Sequence, residues 1–102
     1  MVHTNPIFVL SGQAVAQSVE GYRPGARHQL LILMRAPDLD TAAARATGMS
    51  LQHGFHYLTI EQGSQMDMRA EDAEHEYLKN AILKVEETGQ AIIVYDDELP
   101  SD

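Results

Sequence analysis

Apolar residues run almost without alternation through 28–35 (HQLLILMR) and 91–95 (AIIVY), the pattern of strands covered on both faces. The stretch 55–62 (FHYLTIEQ) alternates instead. His56, Leu58 and Ile60 oppose Tyr57, Thr59 and Glu61, which predicts a half-buried strand. Gly63-Ser64 follows as a hairpin-forming pair, so 65–68 is expected to return as a short strand. Near the start, 7–10 is a short run of strand formers, and 13–19 alternates between two weakly apolar faces, as an edge strand would. Gly21-Tyr22-Arg23-Pro24-Gly25 predicts a type II turn, with proline presetting φ and glycine supplying the positive φ that follows.

Two segments carry helical spacing. Asp38 is placed to cap free N–H groups, and Leu39, Ala42, Ala43, Ala46 and Met49 recur behind it. Gly48 inside this helix costs about 1 kcal/mol relative to alanine, and Gly54 is a natural terminator. Further on, Ala70, Ala73, Tyr77, Ala81, Ile82 and Val85 keep to one stripe. Glu71, Asp72, Glu74 and Glu76 load the N-terminal end, where carboxylates favour the helix dipole, and Gly89 closes it.

This order predicts one α+β domain over 1–102, with 1–6 and 97–102 flexible and DDELPSD a solvated tail. The expected form is a two-layer sandwich, two helices on one face of a four- to five-stranded mixed sheet. Without its first strand the chain reads β-α-β-β-α-β, so it is expected to be a ferredoxin-like variant with an extra N-terminal strand or hairpin. One conflict stands. The tight turn pairs 29–35 with 13–20, whereas the ferredoxin-like frame sets 29–35 between other strands. Either the hairpin displaces the last strand or that strand pairs elsewhere, in a second subunit.

Composition narrows the chemistry. The chain of 102 residues has no cysteine, which excludes a disulfide scaffold, a thiolate nucleophile, a zinc ribbon and an iron–sulfur site. Its net charge of −8 is unevenly placed. Four arginines against three carboxylates give residues 1–45 a net of +1, while three cations against twelve carboxylates give 46–102 a net of −9. So acidic a surface repels phosphate, and no nucleic-acid partner is expected. The longest apolar runs, 30–34 and 91–95, are far short of the roughly 20 residues a spanning helix needs, so no membrane partner is expected either. No Lys or Arg precedes the apolar run at 7–10, so the start does not read as a signal peptide and a cytoplasmic location is expected.

Candidate chemistry is sparse. His53 and His56, three apart, are the weak metal candidates, but Gly54 divides a helix end from a strand start between them. Asp38 and Asp40 read as a cap and a first-turn carboxylate rather than a magnesium pair. Asp96, Asp97 and Glu98 read as part of the tail. No G-x-S-x-G elbow, phosphate loop or dinucleotide fingerprint is present, so no catalytic residue, metal or cofactor is assigned. Arg23, Arg27 and Arg35, with Val15 and Gln17, form a candidate interface or anion-binding group on the N-terminal hairpin.

Three functional readings follow. The first is a small non-enzymatic interaction module, a homodimer paired through the hairpin edge, where Arg23 and Arg27 meet carboxylates of the second copy. The second is an acidic, immunity-type inhibitor of a basic protein partner. The third is a small ligand-binding domain or enzyme with a cleft near His56 and Tyr57.

Overall fold

The computed structural model of the protein describes residues 5–100. In chain order the elements are β1 (Ile7–Ala16), β2 (Arg27–Arg35), α1 (Leu39–Gln52), β3 (Phe55–Gln65), α2 (Glu76–Thr88) and β4 (Gln90–Glu98), with a single 3₁₀ turn at Ala70–Asp72 before α2. The strands form one sheet in the order β3-β1-β2-β4, and every neighbouring pair is antiparallel. The α+β class is as expected. The expected mixed sheet is not found, because the parallel strands β2 and β3 are not neighbours: β1 lies between them.

Residues 7–16 form one continuous strand, and it is inner rather than an edge. Its small residues give it the weakly apolar pattern of an edge strand. Ala14 and Ala16 look weakly apolar yet are fully buried, in one core with Ala42, Ala46 and Met49 of α1. Gly12 has a steric duty: a Cβ there would lie 2.2 Å from the Thr59 carbonyl oxygen, so β3 packs against bare backbone. The turn that follows β1 is as expected, with Gly25 at φ +89° and pairing of β1 to β2 along its length.

The two helices lie on opposite faces of the sheet, not on one. Phe8, Leu10, Leu30, Ile32 and Met34 point to the even face and pack with α1. Leu33 and Ala91 point to the odd face and pack with Ala81, Ile82 and Val85 of α2. The physical reason is in β2 itself. A strand apolar on both faces needs cover on both, and two helices on one face would leave Leu33 bare. Each fully buried aliphatic side chain here contributes about 1.5–3 kcal/mol.

Local signals set the helix ends. The Asp38 carboxylate accepts from the Thr41 N–H at 2.7 Å, and Gly54 and Gly89 take the left-handed conformation that ends α1 and α2. Helix α2 begins at Glu76, later than the stripe from Ala70 implied, because Ala73 is extended between the 3₁₀ turn and the His75 cap. The expected return strand at 65–68 does not form. Gly63 is no turn residue but a close-approach point opposite Leu10, so β3 runs straight through it to Gln65. The acidic end is also strand rather than tail, since β4 continues to Glu98. Of the segments expected to be flexible, 1–4 and 101–102 lie outside the described residues. Among the described residues no helix is long and apolar enough to cross a membrane.

Candidate functional site

The polar chemistry collects at one end of the even face, where the 17–26 loop meets the end of β4. Two extra residues of β4 lie between the Leu30–Val94 and His28–Glu98 rungs, a bulge in the strand. Bulges of this kind re-aim side chains and free backbone groups. The Tyr95 carbonyl is held by His28, whose Nδ1 lies 2.9 Å away. A carbonyl only accepts, so a proton sits on Nδ1, and in the neutral imidazole Nε2 is an acceptor. His28 is 1% exposed, and no partner reaches its Nε2. A buried polar atom left unpaired costs about 1–3 kcal/mol.

The loop roofs this imidazole. The Tyr22 ring stands edge-on to it with centroids 4.6 Å apart, and Phe55 lies beyond at 6.5 Å. The Tyr22 hydroxyl donates to the Asp96 carboxylate at 2.6 Å. That bond, then burial and the Asp96 charge, raise the Tyr22 pKa. The next residue repeats the device: Arg23 donates Nη2 to Glu98 Oε1 at 2.8 Å and Nε to Oε2 at 3.2 Å. The guanidinium lowers the Glu98 pKa, chiefly through these hydrogen bonds. Glu20, Tyr22, Arg23, His28, Asp96 and Glu98 line an open cleft of about 410 Å³.

Comparison with protein-family models, curated proteins and solved structures returned no match.

The other candidate residues are spread over the molecule. Arg27 and Arg35 share the odd face, at opposite ends of β2, while Arg23 lies in the cleft. Arg35 donates to the Asn5 carbonyl at 2.7 Å. Val15 pairs with both Arg27 and His56 in the inner strand, and the Gln17 N–H donates to the Gly54 carbonyl. His53 turns its Nδ1 to the Met49 carbonyl at the end of α1, whereas His56 belongs to β3. Tyr57 is 74% exposed and has φ +58°, in a bulge of β3 opposite Ala14. Such a backbone is strained for a side chain with a Cβ.

A second feature is the half of the odd face that α2 does not reach. Ser11, Gln13, Val15, Arg27, Gln29 and Leu31 are all partly exposed there. A shallow cavity of about 460 Å³ lies against Val9, Ser11 and Leu31 on one side and Gln62–Ser64 on the other. Strands β1 and β2 contain no Asp or Glu at all.

Proposed function

We propose that this protein is a non-enzymatic interaction module that pairs with a second copy of itself through the uncovered odd face of the β1–β2 hairpin. The observation that carries this reading is charge placement. A chain of net −8 repels its copy almost everywhere, but strands β1 and β2 hold only two charges, both arginines. Val9, Val15 and Leu31 supply apolar contact on that face, and a two-fold axis can set the same patch on itself. The pairing is face to face rather than edge to edge, since β1 is an inner strand. Arg23 already holds Glu98 of its own chain, so cross-copy ion pairs from it are not part of the reading.

Of the expected ferredoxin-like frame the architecture supports one unit only, since the two helices lie on opposite faces of the sheet. Strands β2 and β3 are both antiparallel to β1, so β2, α1 and β3 make a split βαβ unit with the N-terminal strand filling the gap.

Light scattering at micromolar concentration tests the pairing, with a mass near twice 11.3 kDa expected. Ser11→Glu and Leu31→Glu each place a carboxylate on the face and should give monomers with unchanged circular dichroism. About 0.5 M salt should strengthen pairing, because it screens repulsion between two acidic chains. A mass near 11.3 kDa for the unmodified protein refutes the reading.

A second reading, an acidic partner for a basic protein, is favoured by the exposed carboxylates of Glu71, Asp72, Glu74, Glu76, Glu86 and Glu87. It expects binding that is abolished, not strengthened, by salt.

A further inference from the structure

We propose that the cleft between the 17–26 loop and the end of β4 binds a small organic cation, a primary ammonium or a guanidinium, received by His28, Asp96 and Glu98 when Tyr22 swings aside. The cleft lies on the even face, so the proposal does not depend on pairing through the odd face.

The first support is His28. Its Nδ1 is committed to the Tyr95 carbonyl, and its Nε2 is a buried acceptor with no donor. Native proteins pair almost all such atoms, and a ligand N–H is the group that would complete this one. The imidazole belongs to the lining of the cleft, beside the Tyr22 ring.

The second is the charge of the lining. Three carboxylates, Glu20, Asp96 and Glu98, face one cation, Arg23. An anion finds no welcome there.

The third is Arg23 itself, which displays the fit. Its guanidinium lies on Glu98 through two N–H donors, while the Tyr22 hydroxyl occupies Asp96. Both donors come from consecutive residues of one exposed loop. Moving that loop releases two carboxylates and lifts the Tyr22 ring from the imidazole, and a ligand with several N–H donors then has acceptors on Asp96, Glu98 and His28 to meet. A metal ion fits less well, because among the described residues no three ligating side chains converge closely enough to hold one.

The test is an NMR titration of the isotope-labelled full chain with methylguanidinium chloride, with sodium chloride at matched ionic strength as the blank. Saturable shifts of the His28 and Tyr22 ring signals are expected, with a dissociation constant of roughly a millimolar. Asp96→Asn with Glu98→Gln, both exposed positions, should weaken binding by about tenfold or more. Tyr22→Phe keeps the aromatic roof but removes the latch on Asp96, and should bind about fivefold more tightly. Shifts no larger than those given by sodium chloride would overturn the proposal. So would an affinity indifferent to the carboxylate variant, or zinc chloride saturating the same signals at lower concentration than methylguanidinium.

Discussion

Tyr22 and Asp96, 74 residues apart in the chain, are joined by a 2.6 Å hydrogen bond from hydroxyl to carboxylate. With the neighbouring Arg23–Glu98 pair it straps the loop after β1 to the end of β4. Each contact is solvent-facing and of modest worth alone. Their joint effect is positional, because they hold the aromatic roof in place over His28.

The latch has an alkaline signature. The folded state raises the Tyr22 pKa above 10.0, first through its hydrogen bond to Asp96, and raises that of Tyr95, chiefly by burial. A proton held more tightly in the folded state gives stability that is present below the unfolded value and lost as pH rises through the folded one. The thermal midpoint should therefore fall above about pH 10. In Tyr22→Phe the fall should be shallower, with the share of Tyr95 remaining. Thermal melts from about pH 8 to 11 decide this, and parallel curves for the two proteins would remove Tyr22 from the account.

Helix α2 should anchor the odd-face core. Ile82 is 1% exposed, packed with Leu33 and Ala91 of the sheet, and Ile82→Ala should cost about 2–5 kcal/mol. Glu74 stands exposed before the helix, and Glu74→Ala should change stability by no more than about 0.5 kcal/mol. Chemical denaturation measures both. A loss at Ile82 no larger than that at Glu74 would mean that Ile82 does not face the sheet.

Much of the fold was legible because its signals are local. Asp38 before Leu39, Pro24-Gly25, Gly54 and Gly89 each act on backbone within a few residues, and each did what its chemistry dictates. What escaped was non-local. Gly63-Ser64 has the composition of a turn, but Gly63 is needed for clearance against Leu10 and Leu39, contacts that no short window contains. Ala14 and Ala16 were too small to announce a core position. The opposite placement of the helices is implicit in the two apolar faces of 28–35, but the order of elements alone is equally compatible with both helices on one face. The cleft was hidden for a related reason. Asp96 and Glu98 read as tail until β4 is paired with β2, and only that pairing sets them beside His28.

Two glycines make the sharpest contrast between backbone need and backbone tolerance. Gly12 sits in the inner strand where an added Cβ would lie 2.2 Å from the Thr59 carbonyl oxygen and 3.0 Å from the Ile60 Cα. Both neighbours are backbone, so no rotamer change can relieve the clash and β3 must move off β1. Gly12→Ala should cost about 1–3 kcal/mol or more, as an overpacked core does. Gly48 lies inside α1 with nothing within 4 Å of an added Cβ and no positive φ. There a methyl group only restricts the unfolded chain and raises helix propensity, so Gly48→Ala should stabilise by about 0.5–1 kcal/mol. The same substitution thus has opposite signs at two sites 36 residues apart. Urea unfolding of the two variants reads both effects, with an unchanged slope expected for Gly48→Ala. A neutral Gly12→Ala would show that β3 does not lie against β1 in this register, and would undo the sheet order on which the inner position of β1 depends.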